Sequence, residues 1–243
     1  MNRTDLAAEA AQMLSDKSGI RSVSRKIGGI EITDVRVSQS AAERVGKPAG
    51  RYITLEGNPD AEGMTALLQR AIEQLVPKSG LLLAAGLGNP DVTYDTLGSV
   101  CVKRLLAGQG RRRYLAAIET DVALRTGIET PALVRAAARE CGAACVLAID
   151  ALACRSPRYI GRTVQISSAG ISPGSGAGGR GVELSQRTVR VPVVALGVPT
   201  LTELPSVTRS ESDRGYVVTS GDINVVIDCW ADAIGGAINA LAW

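Results

Sequence analysis

Residues 81–90 read LLLAAGLGNP, and residues 144–150 read ACVLAID. Each begins as a short, uninterrupted apolar run and ends where glycine or a charged residue appears. Runs of this length are typical of strands that are covered on both faces, as in a parallel sheet. Around them, segments with the spacing of amphipathic helices alternate with strand-like segments. This alternation predicts an α/β domain with a mostly parallel sheet.

The predicted helices are spread along the chain. The clearest covers 63–75, where apolar residues recur at helical intervals and Pro77 ends the pattern. Thr4 is a candidate cap for a short first helix, and further helices are predicted at 97–107, 131–140 and 223–241. Further strands are predicted at 29–37, 51–55, 114–118, 164–166 and 191–198. No internal repeat is visible, and we expect residues 1–243 to form a single domain.

The composition excludes several kinds of catalysis. The 243 residues include 27 Lys and Arg, 24 Asp and Glu and no histidine, for a net charge of +3. Without imidazole there is no Ser–His–Asp triad, no Cys–His dyad and no His-ligated zinc or haem. Proton transfer then falls to carboxylates, Lys, Tyr or Cys. The small charge and the 3% aromatic content give no support for a nucleic-acid partner.

Other features concern the cellular compartment. The five cysteines are odd in number and include no C-x-x-C pair, which favours reduced thiols in a cytoplasm. The first residues, MNRTDL, lack the apolar core of a signal peptide. No uninterrupted apolar run of the length needed to cross a bilayer is present. We therefore expect a cytoplasmic protein without a membrane partner.

Two aspartates stand near the ends of predicted strands. Asp150 directly follows the strand at 144–149, and Asp95 lies between the strand at 81–87 and the next helix. If the two strands are neighbours, both carboxylates face the crevice at the carboxyl ends of the strands. One carboxylate raises the pKa of the other, so one can hold a proton while the other is ionised. Such a pair can activate water; the alternative interpretation is a pair of cap or turn residues.

A glycine-rich segment covers residues 170–181, with six glycines in twelve residues. Glycine allows backbone N–H groups to approach a ligand or to form an anion-binding nest. The alternative is a flexible surface loop. No Gly-Lys-Ser/Thr follows, so the segment is not a nucleotide-binding P-loop. The candidate substrate-binding residues in it are Gly170, Ser172, Gly174, Ser175 and Gly176.

Several stretches resemble the spore germination protease family. The most specific are residues 149–156 (IDALACRS), 163–167 (TVQIS), 170–176 (GISPGSG) and 191–200 (VPVVALGVPT). Shorter matches occur at 3–7, 46–48, 52–56, 86–89 and 126–130. Together they follow the family's order along essentially the whole chain.

The resemblance implies an endopeptidase that starts the degradation of small acid-soluble spore proteins during germination, in the cytoplasm of the forespore or spore core. It implies a three-layer α/β/α sandwich similar to hydrogenase-maturation proteases, a homotetramer and a zymogen. It implies that Asp95 and Asp150 are the catalytic pair. Glu129, within the match at 126–130, joins the candidate substrate-binding residues. No cofactor is implied, and a divalent metal stays open.

Departures from the family pattern leave alternatives open. Ser168-Ala169 and Gly179 replace the family's Asp-Thr and Asn, and Cys154 stands where the family commonly has Ala. One alternative is a metal-assisted carboxylate hydrolase of the same fold. Another is a binding protein that has lost catalysis. Residues 86–96 also echo peptidyl-tRNA hydrolase, but that class needs a histidine, which this chain lacks.

Overall fold

Ten strands form a single sheet. The structure, a computed structural model, describes residues 4–172, 181–213 and 215–243. The strands in this part of the chain are β1 (Ile20–Ile27), β2 (Ile30–Val37), β3 (Gly50–Glu56), β4 (Leu82–Gly86), β5 (Gly108–Gln109), β6 (Tyr114–Glu119), β7 (Cys145–Cys154), β8 (Thr163–Ser167), β9 (Val193–Glu203) and β10 (Val217–Thr219). Their order is β1-β2-β3-β8-β9-β7-β4-β6-β5, and β10 pairs with β9.

Among the strands that the structure describes, parallel pairing occurs in four central strands, β9, β7, β4 and β6. All other pairs are antiparallel. The α/β class is confirmed, and the sheet is mixed. One antiparallel pair is a hairpin, because the tight turn at Gly28-Gly29, both at positive φ, joins β1 directly to β2. The pairs β3–β8 and β8–β9 are antiparallel although long stretches of chain separate their strands. Parallel strands need longer crossovers, which the helices supply.

Helices cover both faces of the sheet. In the described residues they are α1 (Ala7–Gln12), α2 (Ala42–Val45), α3 (Met64–Glu73), α4 (Leu97–Val102), α5 (Ala123–Thr126), α6 (Thr130–Glu140), α7 (Gln186–Val189), α8 (Pro205–Thr208) and α9 (Ile223–Ala242). Alternate residues of β4 point to opposite cores. Leu82 and Ala84 belong to the core with α3, α4 and α9, whereas Leu83 and Ala85 pack with α6 and α7. On that second face, α1 packs on β2 and β3, which completes a three-layer α/β/α sandwich.

The last helix, α9, is the one helix in the described part of the chain that is long and apolar enough to cross a membrane. Its composition follows from its place in the core, where Ile227, Trp230 and Ile234 are buried. The Trp230 indole N–H donates to the Gly161 carbonyl at 2.7 Å. The helix predicted at 223–241 is therefore confirmed as a core element.

Other predicted elements differ in detail. The helix predicted over 97–107 ends at Val102, and α1 begins at Ala7 rather than beside Thr4. The Thr4 hydroxyl instead accepts the N–H of Leu6 at 3.1 Å, in the segment just before the helix begins. No sequence pattern predicts β1, because every residue after Ile20 in this strand is exposed and no buried face imposes an alternation.

Candidate active site

Asp150 lies inside β7 rather than after its end, which corrects the prediction. The strand continues to Cys154 because β9 runs beside it, with an irregularity in register between Leu152 and Ala153. On its other side, β4 ends at Gly86, opposite Ile149. Asp150 is therefore the first residue of β7 beyond the end of β4. The topology predicts the ligand crevice at this step in the sheet edge.

Asp95 lies on a short 3₁₀ turn, Thr93–Asp95, between β4 and α4. The Asn89 N–H donates to Asp95 Oδ2 at 2.7 Å, which folds the turn back over the end of β4. Gly88 has a φ of 106° and lies so close that a Cβ there would overlap the Asp95 carbonyl oxygen. The same turn packs against β7 and β9. The structure thus brings both aspartates to one end of the sheet.

The start of α4 fixes this arrangement. A Cβ at Gly98 would overlap the backbone of Leu87 and lie 2.7 Å from the Ile149 carbonyl oxygen. The Leu87 N–H also donates to that carbonyl at 2.8 Å. Only glycine allows the helix to approach both strands so closely. The close approach holds Asp95, three residues earlier, above the step occupied by Asp150.

The two carboxyl groups differ in environment. Asp150 is 4% exposed, and burial raises its pKa well above the ordinary value. The charges of Asp95 and Asp5 raise the pKa of Asp150 further, and the hydrogen bond from the Ala151 N–H opposes them. Burial also raises the pKa of Asp95, against the hydrogen bond from Asn89.

Asp95, which is only partly buried, loses its proton first. Its charge then opposes ionisation of Asp150, whereas Asp150 is still neutral while Asp95 titrates. Over an interval of pH the pair therefore carries one proton, held by Asp150.

The structure adds Asp5 and Lys47, which the sequence reasoning did not single out. The Asp5 N–H donates to the Ala153 carbonyl, and Asp5 Oδ2 accepts the Ala153 N–H, both at 2.8 Å. Lys47 Nζ lies 3.7 Å from Asp5 Oδ1. Burial lowers the pKa of Lys47, and the charge of Asp5 offsets part of this effect. Both residues occur in stretches that match the family, 3–7 and 46–48, which was the available signal.

A groove of about 610 Å³ adjoins this region. Gly197 lies on its floor and is the partner of both Asp150 on β7 and Gln165 on β8. A side chain at Gly197 would meet Leu152 at 2.5 Å. The Gln165 amide fixes the N-terminal wall, because it accepts the Ala7 N–H at 2.7 Å and donates to the Asp5 carbonyl at 3.0 Å. The groove thus reaches the cross-strand row that contains Asp150.

Two of the predicted substrate-binding residues line this groove, Gly170 and Ser172. Gly170 has a φ of 76°, and a Cβ there would overlap the Leu184 carbonyl oxygen, so glycine is required at this position. Gly174, Ser175 and Gly176 lie outside the described residues. The predicted role of Gly170 and Ser172 stays a prediction, with a place beside the groove.

Glu129 lies elsewhere, exposed at the start of α6. Its carbonyl accepts the Ala132 N–H at 2.9 Å, so its backbone caps the helix. The preceding loop is tied to the Asp95 turn through Arg125, whose guanidinium contacts Asn89 at 3.1 Å and Asp121 at 3.2 Å. A substrate contact by Glu129 stays a prediction.

Neither a thiol nor a cluster of metal ligands competes with the carboxylates in the described residues. Cys154 is buried, and burial raises its pKa to about 12, so the thiol is protonated near neutral pH. In the ranges 4–172, 181–213 and 215–243, no three side chains of the His, Cys, Asp or Glu type are grouped to hold a metal ion. The chemistry available at this site is proton transfer between carboxyl groups and water.

Comparisons with known proteins identify the family of this chain. A family model described as germination protease matches residues 1–220. The germination protease of Bacillus cytotoxicus is 38% identical over 242 residues, covering 87% of this chain and 66% of that protein. The germination protease of Clostridium acetobutylicum is 33% identical over 251 residues, covering 91% of this chain and 77% of that protein.

The chain therefore spans 66% of the length of the Bacillus relative. Among solved structures, the NiFe hydrogenase maturation protease HycI from Thermococcus kodakarensis KOD1 is similar, with a TM-score of 0.45 and 14% identity. That match covers 69% of this chain and 98% of HycI. From the family model and the relatives, we conclude that the chain belongs to the germination protease family.

Proposed function

We propose that this chain is an endopeptidase that initiates the degradation of small acid-soluble spore proteins during spore germination, with Asp95 and Asp150 as its catalytic pair. The observation that carries the proposal is the pairing of a buried carboxyl with a more exposed carboxylate at the step where β4 ends. The names of the relatives supply the peptide substrate and the germination context. The proposed compartment is the cytoplasm of the forespore, and the proposed assembly is a homotetramer.

The proposed mechanism divides the work between the two groups by their ionisation. Asp95, ionised and closer to solvent, takes a proton from water as that water attacks the scissile carbonyl carbon. Asp150, which keeps its proton longer because it is buried, gives it to the leaving nitrogen. The C–N bond breaks to give a carboxylic acid and an amine. The proton that Asp95 took from water then passes to Asp150, which restores both groups for the next cycle. Histidine is not needed at any step.

The groove supplies the proposed binding surface for the peptide. Its walls come from the N-terminal segment, from residues 46–48 and from residues 169–172. Gly170 and Ser172 offer backbone groups at one edge, beside the row that contains Gly197 and Asp150. We propose that N–H groups of this glycine-rich segment stabilise the negative oxygen that forms on the carbonyl, where each aligned donor is worth about 3 kcal/mol.

Peptide mapping of a small acid-soluble spore protein tests the proposal. The chain, its Asp95→Asn and Asp150→Asn variants, and Asp228→Asn as a control are incubated with the substrate, with and without EDTA. Asp228 is an exposed carboxylate on α9 that contacts Arg104, so its change matches the others in charge but not in place. We expect discrete cuts by the parent chain and the control, and none by the two variants.

Two results would overturn parts of this proposal. Substrate left intact by the parent chain across pH 5–8 would contradict the protease assignment for this chain. Discrete cuts that disappear in EDTA and return with a divalent cation would replace the carboxylate pair with a metal-assisted mechanism, with the carboxylates as ligands.

A further inference from the structure

Asp121 is a third carboxylate at the same end of the sheet, and the mechanism proposed above does not use it. It lies two residues after the end of β6, which pairs in parallel with β4 through Glu119 and Gly86. The Thr120 N–H and hydroxyl both donate to the Gly86 carbonyl, at 2.8 Å and 3.2 Å. The loop between β6 and α6 therefore begins beside the end of β4, close to the start of the segment 89–95 that carries Asp95.

Arg125 closes this loop onto the segment 89–95. Its Nη1 donates to Asn89 Oδ1 at 3.1 Å and also contacts the carboxylate of Asp91. Its Nε lies 3.2 Å from Asp121 Oδ2. A guanidinium group presents several donors in one plane, which suits contacts to more than one oxygen. One side chain therefore joins two residues of the segment to one residue of the loop.

Asn89 carries the contact from Arg125 to Asp95. Its N–H donates to Asp95 Oδ2 at 2.7 Å, as a hydrogen bond to a charged acceptor. Its side-chain oxygen accepts the Asp91 N–H at 3.0 Å in addition to the bond from Arg125. Because Arg125 holds the side chain of Asn89, the backbone N–H of the same residue stays directed at the Asp95 carboxylate. Two hydrogen bonds in series thus reach the proposed base.

Arg125 also offsets negative charge beside Asp95. Burial raises the pKa of Asp95, the hydrogen bond from Asn89 lowers it, and the charge of Asp121 raises it further. The Asp121 side chain is 23% exposed, so water screens its charge only in part. The Asp91 side chain is 73% exposed, so its ion pair with Arg125 matters less. The cation at Arg125 therefore favours the ionised form of Asp95, mainly by offsetting Asp121.

Other elements around the segment bring few charges to it. The helix α9 and the strands β7 and β9 pack on the turn that ends at Asp95. On β7 the nearby group is Asp150, which is buried and keeps its proton longer. Residues 97–102 of α4 and 193–202 of β9 contain no charged residue. The carboxylates on and just before α9 contact a neighbouring arginine or hydroxyl, and they are Asp222, Asp228 and Asp232.

We propose that Arg125 is a positioning residue for Asp95. It holds Asn89, whose N–H orients the Asp95 carboxylate, and it offsets the charge of Asp121 beside that carboxylate. The inference rests on the proposed function for the role of Asp95 as the base. Its physical content is the effect of Arg125 on the proton of Asp95, which can be measured whether or not the chain cuts a peptide.

Carbon-13 NMR of the aspartate carboxyl groups tests the proposal without turnover. The resonance of Asp95 is identified by its loss in Asp95→Asn and is followed as the pH is varied. In Arg125→Ala the pKa of Asp95 should rise by about half a pH unit or more, because a nearby cation and the support of a hydrogen bond are both lost. In Asp121→Asn it should fall. Arg125→Lys keeps the charge but not the planar fork, so its value should lie between those of Arg125→Ala and the parent.

The pH profile of peptide cleavage connects this effect to catalysis. Arg125 does not line the groove, so in Arg125→Ala we expect KM to stay within about twofold while kcat falls about tenfold. The acidic limb of kcat/KM should move to higher pH in Arg125→Ala and to lower pH in Asp121→Asn. The Arg125 side chain is 43% exposed, so its truncation should leave the core unchanged.

Arg104→Ala is the matched control. Arg104 also bridges two exposed aspartates, Asp228 and Asp232, but it lies away from the segment 89–95. Its loss removes the same charge and should change neither the pKa of Asp95 nor the acidic limb.

Three results would overturn the proposal. The first is a pKa of Asp95 that is the same in Arg125→Ala and the parent. The second is an equal change in Arg104→Ala, and the third is a rise rather than a fall in Asp121→Asn. Failure of the parent chain to cut any peptide contradicts the proposed function instead, while the NMR titration still decides the role of Arg125.

Discussion

Asp150 is a carboxyl group placed where its charge is costly. It is buried, and the hydrogen bond from the Ala151 N–H at 3.0 Å opposes only part of the effect of burial on its pKa. The folded chain therefore binds this proton more tightly than the unfolded chain does. The contribution of this proton to the free energy of unfolding is fully present below the ordinary pKa of aspartate. It is lost as the pH rises through the higher pKa of the folded chain.

Asp150→Asn should consequently stabilise the chain at high pH. Asparagine stays neutral at every pH, so the variant avoids the cost of an ionised buried group, about 1–3 kcal/mol. Urea unfolding at pH 8 and pH 4 measures the effect. We expect the gain to be present at pH 8 and to shrink as the pH falls toward the ordinary pKa of aspartate, because the unfolded parent then begins to bind the proton that the folded parent already holds. A difference between parent and variant that does not change with pH would contradict the assignment.

Lys47 and Asp5 should tune the proton of Asp150 in opposite directions. Asp5→Asn removes a negative charge that raises the pKa of Asp150, so the alkaline limb of kcat/KM should move to lower pH. Lys47→Gln removes the cation beside Asp5 and should move the same limb to higher pH. The pH profile of peptide cleavage measures both shifts. Shifts in the same direction, or a fall in rate with no shift, would indicate a purely structural role for the two residues.

At the scale of elements, the start of α4 and the ends of β4 and β7 form one packed unit. Gly98 is the point of closest approach, since a Cβ there would overlap the backbone of Leu87. Backbone cannot give way as a flexible side chain can. The position of the Asp95 turn therefore depends on a residue that performs no chemistry.

Gly98→Ala should lower the free energy of unfolding by about 1–3 kcal/mol, the usual cost of overpacking. It should also reduce activity more than that loss of stability explains, because α4 moves and carries Asp95 with it. Gly221→Ala is the matched control, because a Cβ there meets nothing within 4 Å, and it should change stability by less than about 0.5 kcal/mol. Equal behaviour of the two variants in urea unfolding and peptide cleavage would contradict this account.

At the scale of the whole molecule, one sheet joins every strand that the structure describes. The helix α9 lies across it and packs on α3 and α4. Trp230 is fully buried, and its indole N–H donates a hydrogen bond to the carbonyl of Gly161. Gly161 lies in the connection between β7 and β8. The core and the site therefore share a common support.

Trp230→Ala should cost about 3–5 kcal/mol of unfolding free energy, as for other large buried aromatic side chains. Trp230→Phe keeps much of the volume and removes the hydrogen bond to Gly161, so its cost should be smaller. Differential scanning calorimetry of the two variants checks the order. A loss for Trp230→Ala below about 1 kcal/mol would show that α9 is not the core support described here.

The central elements of the fold follow from local pattern, and the edges do not. The runs at 81–85 and 144–149 are buried on both faces, so burial imposes a pattern on the sequence. β1 has no buried face and leaves no such trace. The continuation of β7 past Asp150 depends on β9 alongside, a partner that is distant in sequence.

The candidate site shows the same division. Asp95 and Asp150 could be selected from the sequence, because each follows a continuous apolar run and such runs in a parallel sheet converge at one edge. The structure keeps both aspartates at that edge although β7 continues past Asp150. The strand pattern does not select Asp5, because Asp5 reaches Ala153 only when the N-terminal segment folds onto β7. A cavity of about 660 Å³ likewise brings together residues from 9–13, 155–159 and 205–209, which are distant in sequence and share no local pattern.

The most direct test of the central claim is a double-mutant cycle on one peptide bond. Turnover of a single-site peptide is measured for the parent, Asp95→Asn, Asp150→Asn and the double variant, with Asp228→Asn as control. If the two carboxyl groups work as one unit, each single change should lower kcat by about 10³-fold or more, and the double variant should be no slower than the worse single. A single variant within tenfold of the parent, or losses that multiply in the double variant, would contradict the claim.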